Sequence, residues 1–350
     1  MLCLGIESTA HTFGIGIVSF KGEVIVNEKI TFKGEGMDLR ALTEFHVKNF
    51  NIILEKSIKK LKQKNYNLED IKLISFSRGP GIGNSLKVGA LVAKTLALKL
   101  DIPLVGVNHI KAHLEIGKLL TNFKDPLFLY VSGVNTQLIA LDKNNRYKIY
   151  GETEDIGLGN LLDSFGRLAN LEFPSGPSIE KYARGDFSKS KERTYIELPY
   201  TIKGLNISIS GIYSNLKKKI EDFENSKPIK ISENKFKKYE DKDEFLTDLC
   251  YSLQETTFSM LIEIVERIIA YVNKKEFTIV GGVASNERLR EMAYKMGEDR
   301  NIKVKFFPLE YCMDNGAMIA WEGILNKKKS SKSIRNLKPL PYINIESLEC

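Results

Sequence analysis

The sequence predicts an α/β protein built from two similar lobes. Three observations carry this. A strand–turn–strand opening occurs twice, near residue 2 and near residue 127. Each opening is followed by apolar runs that end in glycine-containing loops and continue as helices, the pattern of strands covered by helices. The chain's 350 residues suffice for two domains or one large bilobal unit. Clefts between lobes commonly hold ligands, so a cleft is where chemistry is expected.

The elements follow in order. Residues 2–7 and 13–20 are apolar runs joined by polar 8–12, and 23–30 follows the Lys21-Gly22 turn, which reads as an antiparallel meander. An amphipathic helix is expected over about 40–64, and a strand over 72–77 that leads into the loop RGPGIGNS (78–85) and a helix over 86–100. Residues 103–108 form a short buried strand. The meander restarts with strands at 127–132, 137–141 and 147–152. Residues 277–283 run from strand to loop, a helix starts at Asn286, 303–307 is the last strand and 315–325 the last helix. Between them, 156–265 reads as a largely helical insertion whose Asn/Lys/Glu-rich part, about 223–245, is expected to be a mobile surface segment. The expected domains are 1–125, 126–330 and a basic tail, 331–350.

Bulk properties exclude several classes. Apolar content of 43% with 27% charged residues describes a globular protein. No apolar run approaches the roughly 20 residues of a membrane span. The start of the chain has no basic leader and reads as a first strand, so a cytoplasmic protein is expected. Cys3, Cys250, Cys312 and Cys350 are scattered without a CxxC pair, which argues against a disulfide framework and a thiolate zinc site. The net charge of +8, with lysine-rich runs at 56–64, 217–219 and 327–338, leans toward a polyanionic partner, although each run also reads as a solvated face.

The sharpest chemical signal is a histidine pair. His109 and His113 stand one helical turn apart, so both rings can face one ion. Surface or capping histidines show the same spacing. The metalloprotease helix needs a Glu directly after the first His, and Ile110 occupies that place. Asp314, at a turn before an apolar helix, is either an N-cap or a hard oxygen ligand completing the site. Glycine-containing turns at 132–136, 157–160, 173–177 and 281–286 can present backbone N–H groups to phosphate. Each alone is explained as a structural turn; converging on one cleft, they suggest a nucleotide site. None matches a P-loop or a dinucleotide fingerprint. Asp163 and Glu180 either accept from ribose hydroxyls or cap helices.

The motifs VNHIKAHLEIG (107–117), YVSGVNTQ (130–137), GGVASN (281–286) and MDNGAMIA (313–320) together resemble the universal tRNA threonylcarbamoyladenosine-forming transferases. GIESTAHTFGIGIV (5–18) and RGPGIGNSLKVG (78–89) resemble the archaeal and eukaryotic branch, the catalytic subunit of the KEOPS complex. The resemblance spans almost the whole chain, in family order. It implies the bilobal actin/Hsp70/sugar-kinase-like (ASKHA) α/β fold, with duplicated lobes around a nucleotide cleft. It implies one metal, iron rather than zinc, held by His109, His113, Tyr130 and Asp314, with His109 and His113 as the catalytic pair. It implies an adenine nucleotide bound by Tyr130, Val131, Ser132, Gly133, Val134 and Asn135 and by Asp163, Gly176, Glu180 and Asn286. The implied reaction passes a threonylcarbamoyl group from threonylcarbamoyl-AMP to N6 of the adenosine immediately 3′ of the anticodon in tRNAs reading ANN codons. Implied partners are tRNA and the other KEOPS subunits: a small Bud-type protein kinase, a Pcc-type dimerisation subunit and a Cgi-type subunit. No kinase motif follows the last helix, so the kinase is expected as a separate chain. No membrane partner is implied.

Two positions depart from the family pattern. Val134 stands where a second Gly is usual, and Ser175 where Gly-Gly-Pro is usual. Val134 disfavours positive φ and adds bulk, so the loop is expected still to form but to bind nucleotide less tightly. Two other readings stay open: an ATPase or sugar kinase of the same fold, which would need a catalytic Asp where Glu7 stands, and a binding subunit switched by nucleotide.

Overall fold

In the computed structural model, residues 1–32, 38–188, 192–334 and 336–347 are described; Cys350 and parts of the expected tail lie outside these residues. Strands β1 (Leu2–Glu7), β2 (Thr12–Ser19) and β3 (Val24–Thr31) form the expected antiparallel meander. Helix α1 (Leu39–Gln63) starts where Asp38 accepts from the Arg40 and Ala41 amides. Strand β4 (Ile71–Gly79) pairs in parallel with β1, and β5 (Leu104–Asn108) with β4, with α2 (Gly83–Leu100) as the crossover. The sheet order is β3-β2-β1-β4-β5. β1 is buried along its whole length, as a strand covered on both faces must be, whereas β3 at the sheet edge is only partly buried. Helix α3 (His109–Thr121) leaves β5 directly, capped by Asn108.

The second unit repeats this plan. β6 (Leu127–Val131), β7 (Thr136–Leu141) and β8 (Tyr147–Glu152) form a meander, followed by α4 (Leu158–Leu168) and α5 (Gly176–Arg184). The hairpin β9 (Ile202–Lys203) and β10 (Asn206–Ile207), α6 (Ser210–Glu224), the hairpin β11 (Ile229–Ser232) and β12 (Lys235–Lys237), and the long α7 (Lys242–Val272) complete the insertion. β13 (Glu276–Val280) pairs in parallel with β6, α8 (Glu287–Arg300) follows, and β14 (Lys303–Val304) closes the order β14-β13-β6-β7-β8. The two sheets therefore share one design: three meandering strands extended by two parallel ones.

Three expectations are corrected here. Residues 223–245 are not a mobile segment: they hold the β11–β12 hairpin, and Ile229, Tyr239 and Phe245 are buried. Asp248 of α7, 1% exposed, fixes this region by accepting from the Thr194 amide at 2.8 Å, Lys237 Nζ at 2.9 Å and the Tyr239 hydroxyl at 2.7 Å. The expected 126–330 domain is also divided differently. The compact units are 1–124 with 307–350, and 125–306, so α9 (Leu309–Cys312) and α10 (Gly316–Leu325) belong to the first. The reason is steric: α10 packs backbone to backbone on β1 and β2, where Gly5, Gly14 and Gly16 leave room for Gly316, Ala317 and Ala320. Third, the described part of 331–350, expected as a separate basic tail, lies on the first unit, where Ser331 bridges Leu104 and Ile345 is buried. Among the described residues, no helix is long and apolar enough to cross a membrane.

Helix α10 also buries an acid. Glu322 is 4% exposed; burial, then the Glu115 carboxylate, push its pKa up to about 8 from the ordinary 4.5. The folded state thus keeps a proton that the unfolded chain releases. Its contribution is full below pH 4.5 and is lost as pH rises toward 8. Glu322→Gln removes that dependence and should raise stability at pH 7 by about 2–3 kcal/mol relative to the parent. Urea unfolding at pH 5 and pH 7 checks this; equal pH dependence in both proteins contradicts it.

Candidate metal centre and candidate nucleotide site

The metal candidate lies wholly in the first unit. Helix α3 begins at His109 because Asn108 Oδ1 accepts from the Ile110 and Lys111 amides, at 2.9 and 3.1 Å. This cap fixes the first turn, and His113 follows on the same face, the two rings 4.8 Å apart and nearly perpendicular. Asp314 arrives from the opposite side of the sequence, just before Asn315, whose Oδ1 caps α10 through the Met318 amide. Its Oδ1 lies 3.5 Å from His109 Nε2 and 3.2 Å from His113 Nε2. Lys29 Nζ holds the turn by donating to the Glu310 and Asp314 carbonyls.

Whether an ion fits can be tested on these distances. Ligands about 2.0–2.1 Å from a tetrahedral ion stand about 3.3 Å from one another. Both His–Asp separations bracket that value, and no two of the three ligand atoms are more than 4.8 Å apart. Two imidazole nitrogens and one carboxylate oxygen, without thiolate, form a donor set for iron or zinc. The residues fit a metal ion.

Glu7, missed by the sequence reading as part of this site, supplies its foundation. It is fully buried, and its Oε2 lies 2.9 Å from His109 Nδ1, while Oε1 accepts from the Thr9 amide at 2.6 Å and the Thr9 hydroxyl at 2.5 Å. A carboxylate on Nδ1 leaves Nε2 to face an ion, the arrangement seen around metal-bound histidines. The only signal in the sequence was an acid ending a wholly apolar strand. Burial lowers the His109 pKa, but the carboxylates of Glu7 and Asp314 outweigh it and push it up to about 9. Burial lowers His113 against its hydrogen bond with Asp314, and the His109 charge adds to the lowering. Burial would raise Asp314, yet His109, His113 and Lys29 hold its carboxyl well below the usual range.

The residues expected to bind nucleotide lie in the second unit, including Tyr130, buried on β6. They gather at the ends of two paired strands. β6 ends at Val131 and the 132–135 turn, closed by Ser132 Oγ accepting from the Asn135 amide at 3.0 Å. Beside it, β13 (Val280 opposite Tyr130) runs into 281–286. Asp163 Oδ1 accepts from the Ser175 amide at 2.8 Å, at the start of α5. Glu180 Oε1 accepts from the Glu287 amide at 2.8 Å, next to Asn286. Asn286 is an N-cap: Oδ1 takes the Leu289 amide and Nδ2 donates to Gln254. Gly176 opens into space on the side where a Cβ would stand.

Two expectations change. The N-terminus of α4 does not offer its first amides to a phosphate: Leu158 donates to the Thr136 hydroxyl, Gly159 to the Ser132 carbonyl and Asn160 to the Gly133 carbonyl. Gly157 and Gly159 serve this close approach of turn to helix. Val134 is absent from the positive-φ residues and is 65% exposed, so the turn forms without the backbone strain expected of Val.

Comparisons with known proteins add the following. Residues 25–321 match a family model described as TsaD, tRNA N6-adenosine threonylcarbamoyltransferase. The chain is 44% identical over 323 residues to the tRNA N6-adenosine threonylcarbamoyltransferase of Nanoarchaeum equitans, across 92% of this chain and 93% of that protein. It is 44% identical over 352 residues to the probable bifunctional tRNA threonylcarbamoyladenosine biosynthesis protein of Methanocaldococcus jannaschii, matching 100% of this chain but spanning only 60% of that relative's length. Among solved structures, HypF of T. kodakarensis superposes with a TM-score of 0.59 at 16% identity, over 94% of this chain and 48% of that one, a likeness of fold.

Proposed function

Since the chain belongs to the TsaD family of tRNA N6-adenosine threonylcarbamoyltransferases, we propose that it transfers a threonylcarbamoyl group from threonylcarbamoyl-AMP to N6 of the adenosine 3′ of the anticodon in tRNAs reading ANN codons. The observation that carries the chemistry is the convergence of His109 Nε2, His113 Nε2 and Asp314 Oδ1 on one point. The adenine amine is a weak nucleophile, so the acyl group must arrive activated. In the transfer, N6 attacks the carbamoyl carbon, the C–O bond to phosphate breaks, AMP leaves and N6 loses a proton. A bound ion would supply Lewis-acid polarisation of the carbonyl.

The chain's own residues do the rest. Glu7 holds the His109 ring by Nδ1 and so aims Nε2. Asn108 and Asn315 fix the two helix starts that carry the ligands. We assign two imidazoles and a carboxylate, without thiolate, to iron or zinc; Tyr130, expected as a further ligand, lies in the second unit. The adenylate is assigned to Val131–Asn135, Asp163, Gly176, Glu180 and Asn286, with Asp163 and Glu180 suited to ribose hydroxyls. Val134→Gly should tighten binding of the adenylate severalfold by removing bulk, and calorimetry decides; unchanged affinity contradicts this assignment of the turn.

Partners are tRNA and the KEOPS subunits: a small protein kinase, a Pcc-type dimerisation subunit and a Cgi-type subunit. The M. jannaschii relative, longer than the matched part and called bifunctional, supports a partner joined to this fold there. The test is consumption of threonylcarbamoyl-AMP. Turnover that requires tRNA and yields modified nucleoside supports the reading; sugar-dependent ATP turnover without it supports a kinase instead.

A further inference from the structure

We infer that the C-terminal segment 338–345 is a strap that positions the metal centre. The inference rests on the metal reading of His109, His113 and Asp314. It begins from a contrast: the segment that follows the lysine-rich run 327–338 is pinned by hydrogen bonds to one loop. Arg78 Nε donates to the Lys338 carbonyl at 2.8 Å, the Leu340 amide donates to the Arg78 carbonyl at 2.7 Å, and the Gly81 amide donates to the Pro341 carbonyl at 3.1 Å. Gly79, at φ +154°, lets the Leu340 carbonyl approach where any Cβ would overlap it. Ile334 and Leu337 pack against the core ahead of the strap, and Ile345, 2% exposed, anchors it beyond.

Two routes lead from the strap to the ligands. The first runs through the 78–82 loop: the Ile82 amide donates to the Thr9 carbonyl at 2.7 Å, Thr9 is bound to Glu7, and Glu7 holds His109. The second is shorter. Asn108 is fully buried; its Oδ1 is committed to the first amides of α3, so its Nδ2 must find an acceptor elsewhere. It donates to the Asn344 carbonyl at 3.4 Å. Without the strap, the cap that starts the metal-binding helix loses a partner, and the loop that fixes Thr9 loses three.

Groups that orient metal ligands are typically worth about 10–100-fold in affinity. Zinc binding by the 350-residue parent chain, Ile345→Asp and a chain ending at Leu337 is measured by chelator competition, with amide exchange of Ile110 and Lys111 followed in the metal-free proteins. The inference expects zinc affinity to fall about tenfold in both variants and the two amides to exchange faster. Affinity within twofold of the parent, with unchanged exchange, overturns it. A parent chain that binds no zinc overturns the metal reading instead, and amide exchange still decides whether the strap holds the helix start.

Discussion

His113→Ala is expected to lower metal affinity by more than about 100-fold and to abolish tRNA-dependent transfer. The magnitude follows by comparison. Losing a group that only orients a ligand costs about 10–100-fold, and His113 is itself one of three converging donors. The fold should survive. His113 is 1% exposed, and the space left by its ring is adjacent to the Asp314 side chain, which is 28% exposed, so water can enter. Glu7→Gln separates direct from indirect roles. It keeps the shape but removes the charge facing His109 Nδ1, and a loss of about tenfold is expected. Metal titration of both variants checks the order. Equal losses would mean that His113 does not ligate.

Gly16→Ala is expected to destabilise the protein by about 3 kcal/mol, the upper end for overpacking. An added Cβ at Gly16 meets the backbone of Gly316 and Ala317, not a side chain that could turn away. The helix must lift from the sheet or the strand must bend. Because Asp314 lies two residues before α10, lifting the helix also moves a ligand, and metal affinity should fall with stability. Gly211→Ala is the control. Nothing stands within 4 Å of a Cβ there, and in α6 it should be neutral or mildly stabilising. Urea unfolding of the two variants decides; a Gly16→Ala protein as stable as the parent would contradict the packing described for α10.

Much of this was legible in the sequence, for physical reasons. The two meanders show as apolar runs broken by short polar turns, and β1 to β3 fall within a residue or two of their expected ends. The His109–His113 spacing puts both rings on one face, and the Asp314 turn brings a carboxylate to them, a group that could hold a metal ion. What stayed hidden depends on contacts that leave little trace in composition. Apolar periodicity makes α10 a buried helix but does not say which sheet receives it; the glycines within β1 and β2 were the available sign. The strap is held mainly by carbonyls and amides, which every residue carries, so the lysine-rich run 327–338 ahead of it dominated the reading. Residues 223–245 are rich in charge, yet Ile229, Tyr239 and Phe245 are buried and Asp248 binds Lys237 and Tyr239, contacts that composition does not show. At the α4 start, glycines that resemble a phosphate loop serve instead a turn whose carbonyls take the helix amides.

The most direct measurement strips the purified protein of metal, supplies threonylcarbamoyl-AMP, tRNA and partner subunits, and quantifies modified adenosine by mass spectrometry before and after iron or zinc is returned. The account predicts product only after metal is restored to the parent, and none from His113→Ala at any metal concentration. Full product from the stripped protein would contradict it.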